Sequence, residues 1–215
     1  MFGLMEQFKR PTGLRGRLIA AFMNQGHKPL SLWELSQVNI DPDCVILDVG
    51  CGGGKTVSRL AQRAVQGKVF GIDYSADMVR YSKKVNKQLI AESRVEIIEA
   101  SVEKMTFPDN FFDLVTAFET YYFWPSLPAA LQEIKRVLKP NGTLLVVSEM
   151  VKDGAYEVEH AKMIEQTHMR LFPLEEILNI MYSVGFADVQ VITKANSSWN
   201  VFLAKKRQVL TKKEE

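Results

Sequence analysis

Cysteine, histidine and long apolar runs are what this chain has least of, and each scarcity closes off a class of protein. Cysteine occurs twice, at Cys44 and Cys51. The two sit close together around one apolar run, so a disulfide framework is not expected and a reducing, cytoplasmic compartment is. Three histidines, His27, His160 and His168, share no metal-ligand spacing with cysteines or carboxylates, and no metal site is expected. No stretch approaches the ~18 consecutive apolar residues of a membrane helix. Residues 1–20 are broken by Glu6, Lys9, Arg10, Arg15 and Arg17, which argues against a secretory signal. Charge of one sign is also scarce. Lys and Arg number 27 against 25 Asp and Glu, a net charge of +2. That is too weak to imply nucleic acid or a membrane surface. The basic clusters near Lys9, Lys83 and Lys205 read as solvated helix faces and a charged tail.

What is present is a regular alternation. Short β-branched runs at 44–50, 68–73, 94–100, 112–119 and 143–150 read as strands. Between them, 55–65, 75–90 and 127–138 repeat apolar residues at helical spacing. Ser75 is placed to cap the second of these helices, and Pro140-Asn141-Gly142 to stop the third. Residues 155–170 form a polar helical insert. Residues 173–186 read as a helix ending on Gly185. Runs at 187–193 and 198–206 complete the pattern. Strand–helix alternation implies an α/β fold with a parallel sheet covered by helices on both faces. The last two strands have too short a link for a parallel crossover of about a dozen residues, so they pair antiparallel.

The chemistry concentrates in LDVGCGGGKTVSRL, residues 47–60. Its Gly54-Lys55-Thr56 ending resembles a nucleoside-triphosphate loop, but that loop needs glycine at 49, where Val49 stands. A dinucleotide fingerprint needs a third glycine at 55 or 57, where Lys55 and Val57 stand. What remains is Asp48-x-Gly50-x-Gly52-x-Gly54 between a strand and a helix. A carboxylate two residues before the turn sits badly against a pyrophosphate and well beside a cation. S-adenosylmethionine carries a sulfonium and an ammonium and no phosphate. Glycines at 50, 52 and 54 let backbone approach it, and N–H groups near Lys55 and Thr56 can meet its carboxylate. Asp73 ends the second strand, where an acidic residue can take both ribose hydroxyls.

Four blocks in this order, VILDVGCGGGKTVSRLA, VFGIDYSADMV, EASVEKMTFPDNFFDLVTAFETYYFW and LQEIKRVLKPNGTLLVVSE, resemble the class I S-adenosylmethionine-dependent methyltransferases, in particular the quinone and sterol methyltransferase-like enzymes. The resemblance is strong over residues 40–150. It implies a Rossmann-like seven-stranded sheet in order 3-2-1-4-5-7-6 with strand 7 antiparallel. It places Asp48, Gly50, Cys51, Gly52 and Gly54 around the methionine part of the cofactor. Asp73 and Tyr74 fall on ribose and adenine contacts, and Met78 against the adenine. Where the family commonly has an adenine-binding Asp, this chain has Ser101, followed by Val102 and Glu103; either Ser101 or Glu103 takes that place. Glu119 and Thr120 pass beside the methyl group.

The implied activity is methyl transfer to a small-molecule acceptor by direct displacement, with a non-catalytic S-adenosylmethionine or S-adenosylhomocysteine-binding module as the alternative. Glu119, Glu149 and His27 are candidate general bases. Tyr121, Tyr122 and Trp124 are candidate acceptor-pocket residues, or core. The family's DNA-adenine branch carries Asn/Asp-Pro-Pro-Tyr after strand 4; here Glu119-Thr120-Tyr121-Tyr122 stands there, so nucleic acid is not an expected partner. Residues 1–40 are expected to cap the cofactor mouth and 151–172 to form a second cover. Residues 41–207 form the cofactor-binding domain and 208–215 a charged tail. A monomer or homodimer is expected.

Overall fold

The computed structural model describes residues 33–152 and 157–208. Of the cap expected over residues 1–40, residues 1–32, His27 among them, lie outside the described residues, as does the tail beyond Gln208.

Seven strands form one sheet: β1 Val45–Val49, β2 Lys68–Asp73, β3 Val95–Glu99, β4 Phe112–Phe118, β5 Leu138–Ser148, β6 Phe186–Thr193 and β7 Asn200–Lys206. The strand order is β3-β2-β1-β4-β5-β7-β6. The pairs around β1, β2, β3, β4 and β5 are parallel, and β7 runs antiparallel to both β5 and β6. The helices are α1 Lys55–Arg63, α2 Ala76–Val85, α3 Lys87–Ala91, α4 Leu127–Val137, α5 Glu157–Thr167 and α6 Leu174–Val184.

Alternate residues of each central strand point to opposite faces, which builds two cores from one sheet. Leu47, Val115, Leu144 and Val146 face α4 and α6, packing with Leu131, Ile134, Ile177 and Met181. Ile46, Leu114, Leu145 and Val147 face the other way, against Val57, Leu60 and Ala61 of α1 and against Leu35. Both faces are covered, so the strands read as continuous apolar runs rather than polar–apolar alternation.

Two local readings of the sequence are corrected. The helix expected over 75–90 breaks at Asn86, because that side chain bonds to neighbouring backbone instead of letting the helix run on: its Nδ2 donates to the Gly54 and Ser82 carbonyls at 2.9 and 3.0 Å. Ser75 occupies the N-cap position without a side-chain cap bond. Pro140-Asn141-Gly142 does not separate α4 from its strand. β5 begins at Leu138, and the residues up to Gly142 bulge out between the pairs Phe112–Leu138 and Leu114–Thr143. Asn141 supplies the left-handed turn in that bulge, with φ 63°. At the end of α1, Arg94 replaces a glycine cap. Its Nη2 donates to the Ala61 and Ala64 carbonyls, each at 2.6 Å.

Candidate cofactor and acceptor site

The glycine loop leaves β1 at the carboxyl edge of the sheet, beside the ends of β2 and β4, where α/β folds bind ligands. Gly50 and Cys51 donate their N–H groups to the Ile72 carbonyl at 2.8 and 2.9 Å, which ties the turn to β2. Gly50, Gly52 and Gly54 all have positive φ, at 70°, 47° and 78°. They are glycine for different reasons. A Cβ at 50 would fall 2.5 Å from Thr120 Cγ2, and one at 54 would fall on Ser82 Oγ and 2.6 Å from Asn86 Nδ2. A Cβ at 52 would meet nothing closer than 3.9 Å. Protein crowds the outer two positions, whereas Gly52 turns its bare backbone to open space.

Two carboxylates flank this loop, and one of them, Asp73, bonds to it. Asp48 is buried at 2 % exposure, and Thr116 Oγ1 on β4 donates to its Oδ1 at 2.7 Å. Burial raises its pKa to about 7; the threonine bond opposes the rise and the charge of Asp73 adds to it. Asp73 receives the Gly52 N–H on Oδ2 and the Ser75 N–H on Oδ1, both at 2.9 Å. Burial pushes its pKa up and those two amides hold it down. Each Asp73 oxygen keeps a second lone pair, so bonding to the loop leaves acceptor capacity for a hydroxyl. Cys51 is buried, with its thiol 4.0 Å from Ser82 Oγ and its pKa pushed well up by burial. A thiol in that state is packing, not a nucleophile.

The other cofactor candidates separate. Tyr74 is exposed and directly follows the last residue of β2. Met78 is buried on the inner side of α2 and offers little surface to a ligand. Ser101 is exposed and Val102 buried. Glu103 is committed to another helix: its Oε1 accepts the Ser126 N–H at 2.7 Å, at the start of α4.

Glu119 follows β4 with φ 55°, a left-handed conformation costly for a non-glycine residue. Its Oε2 accepts a hydrogen bond from the Tyr122 hydroxyl, while Oε1 is buried and unpartnered among the described residues. Burial raises its pKa to about 8; the Tyr122 hydroxyl opposes the rise, the charge of nearby Glu149 adds to it, and the Glu149 backbone N–H holds it down. Tyr121, Tyr122 and Trp124 are buried in the core cluster facing α4 and α6. Tyr121 donates to the Met150 carbonyl at 3.0 Å. The aromatic segment therefore supports the site from beneath rather than lining an open wall.

Glu34 belongs to no motif or spacing that marks it in the sequence. Trp33, Glu34 and Leu35 are helical, and Arg63 of α1 donates to the Leu35 carbonyl. Glu34 is 1 % exposed, its Oε1 lacks a partner among the described residues, and its pKa is raised to about 9. Burial is the main cause, followed by the charges of Glu119 and Glu149, with Lys194 opposing. Among the described residues, no group of three or more His, Cys, Asp or Glu side chains is arranged to hold a metal ion.

Residues 47–146 match the family described as Methyltransferase domain. The match runs from Leu47 in β1 to Val146 in β5. The chain is 34 % identical over 107 residues to a 2-phytyl-1,4-naphtoquinone methyltransferase of Trichormus variabilis, covering 49 % of this chain and 47 % of the relative. It is 33 % identical over 124 residues to the ubiquinone/menaquinone biosynthesis C-methyltransferase UbiE of Paraburkholderia phymatum, covering 56 % and 49 %. The chain thus spans about half the length of these curated relatives. Among solved structures it resembles Haemonchus contortus phosphoethanolamine N-methyltransferase 2 in complex with phosphomonomethylethanolamine and S-adenosylhomocysteine. That likeness has a TM-score of 0.74 at 20 % identity and covers 84 % of this chain and 53 % of the other, which shows the fold. The sheet order and the antiparallel β7 are those of the class I methyltransferase fold.

Proposed function

We propose that this protein binds S-adenosylmethionine at the Gly50–Gly54 loop and transfers its methyl group to a small-molecule acceptor. One observation carries the reading: two mostly buried carboxylates, Asp48 in β1 just before a glycine turn and Asp73 bonded to it, flank a turn whose middle residue, Gly52, faces open space. Such a loop repels a pyrophosphate and attracts a cationic adenosine compound. The family match and the quinone methyltransferase relatives support the same cofactor and a small acceptor.

Gly52 admits the methionine portion to the backbone, and the uncapped start of α1 at Lys55 and Thr56 faces its carboxylate. Asp48 supplies the countercharge. Asp73 receives the ribose hydroxyls, Tyr74 covers the adenine, and Ser101 takes the adenine amino group, since Glu103 is engaged by Ser126. The cofactor supplies an activated methyl group and a neutral leaving group. The protein's part is alignment and exclusion of water. Glu119, held in a left-handed conformation between the loop and the buried tyrosines, is the proposed acceptor-side acid–base group. Residues 41–207 act as the methyltransferase domain with residues 1–40 as its cap. A cytoplasmic setting fits two free thiols, Cys44 and Cys51. No helix among the described residues is long and apolar enough to cross a membrane.

The test is a thermal-shift comparison of S-adenosylmethionine and S-adenosylhomocysteine with NAD and ATP, followed by labelled-methyl transfer over a panel of quinols, phenols and amines. Stabilisation by the first two alone, with label on an acceptor, supports the reading. Stabilisation without transfer to any acceptor supports a binding module instead.

A further inference from the structure

Glu34, Glu119 and Glu149 converge from three parts of the chain. Glu119 follows β4 and Glu149 follows β5, neighbouring parallel strands joined beyond their last pair by the Glu119 N–H to the Val147 carbonyl at 3.2 Å. Glu34 comes from the helical turn that packs against α1. Each of Glu34 and Glu119 holds one buried oxygen, Oε1, that no described group satisfies. Glu149 Oε1 is engaged by Trp199 Nε1 at 3.3 Å. Lys194 is the cation that bears on Glu34, and aromatic rings hold its ammonium, 3.9 Å from the Trp199 ring centroid and 5.8 Å from that of Trp33. The two tryptophan centroids are 6.3 Å apart.

We propose that these three carboxyl groups form a cation subsite for the methyl acceptor, which takes a protonated amine nitrogen against the orphaned oxygens of Glu34 and Glu119. The inference rests on the cofactor reading and adds the acceptor's class. A buried, unsatisfied carboxyl oxygen is costly, and the Glu119–Val147, Trp199–Glu149 and Trp33–Trp199 contacts bring the elements that carry these two together, so a shared ligand could pair with both. An ammonium brings donors and the missing positive charge together. A neutral quinone carbonyl brings neither. Burial and mutual repulsion keep Glu34 and Glu119 protonated near neutral pH, so an arriving ammonium ionises at least one and releases a proton. The groups bearing on that equilibrium are the Glu149 carboxyl and backbone N–H, Lys194 and the Tyr122 hydroxyl. Among the described residues these carboxyl groups are not arranged to hold a metal ion.

The full chain, saturated with S-adenosylhomocysteine, is titrated calorimetrically with benzylamine and with benzyl alcohol, in phosphate and in Tris at pH 7.5. The inference expects saturable benzylamine binding at least about tenfold tighter than benzyl alcohol, with proton release seen as a buffer-dependent heat. Glu34→Gln, close in shape, is expected to weaken benzylamine about tenfold and leave S-adenosylhomocysteine affinity within about twofold. Equal binding of amine and alcohol, no benzylamine binding, or benzylamine binding without proton release overturns it. So does loss of S-adenosylhomocysteine affinity in Glu34→Gln, which would assign the cluster to the cofactor's own ammonium. The same titrations without S-adenosylhomocysteine separate failure of the cofactor reading from failure of this one. Amine binding that depends on Glu34 supports the subsite even if the cofactor does not bind.

Discussion

Asn86 and Gly54 hold each other in place. Asn86 Nδ2 donates to the Gly54 carbonyl at 2.9 Å, and a Cβ on residue 54 would fall 2.6 Å from that same nitrogen. Asn86 Oδ1 also receives the Ser58 hydroxyl at 2.7 Å, so one side chain fixes the loop, the start of α1 and the end of α2. Asn86→Ala removes these bonds and leaves the Gly54 carbonyl without that donor. It is expected to lower stability by about 2–3 kcal/mol and to weaken cofactor binding through a loosened loop. Urea unfolding, with a cofactor titration under native conditions, reads both.

Gly54→Ala and Gly52→Ala are expected to fail differently. At 54 the methyl group meets both strain and the Ser82 and Asn86 side chains, for a loss of about 2–4 kcal/mol. At 52 it meets strain alone, about 1–2 kcal/mol, because the space beside it is open. That open space is where the ligand belongs, so Gly52→Ala is expected to fold and to lose cofactor affinity by more than about tenfold. Equal stability losses in the two variants would contradict the assignment.

Asp48 has its pKa raised to about 7 without a cation beside it. A sulfonium or ammonium ligand favours the ionised form and lowers that value. Binding therefore releases protons, and cofactor affinity is expected to rise as pH increases from about 6 to 8. Thr116→Val removes the 2.7 Å donor and is expected to move this rise to higher pH. Titrations across that range in both proteins check the direction.

Glu34 gives a stability signature. Its folded pKa of about 9 lies above the ordinary 4.5, so folding favours the protonated form. The stability it contributes is full below pH 4.5 and is lost as pH rises through about 9. Glu34→Gln does not titrate. Its stability relative to the parent is expected to increase with pH over that interval, reaching at least about 1 kcal/mol by pH 9. Chemical denaturation at pH 5, 7 and 9 measures it.

The sheet was readable in advance because both its faces are buried: β1, β2, β4 and β5 had to be continuous apolar runs, and the short link before β7 forced an antiparallel partner. The glycine loop was readable because φ above zero and close packing both demand glycine there. The break at Asn86 was not, since its cause is a bond to Gly54, 32 positions away. Glu34 was hidden for the same kind of reason. It is an ordinary helical residue in sequence, and only the fold sets it near Glu119 and Glu149. Tyr121, Tyr122 and Trp124 stand at the ligand-binding edge of the sheet, yet their rings turn into the core, a choice of rotamer that residue order does not record.

The most direct test is competitive calorimetry on the intact chain with S-adenosylmethionine, S-adenosylhomocysteine, ATP and NADH. The account predicts saturable binding of the first two, abolished in Asp73→Ala, and no measurable heat from the phosphate-bearing pair. Tight binding of ATP or NADH, with the sulfonium compound ignored, would contradict it.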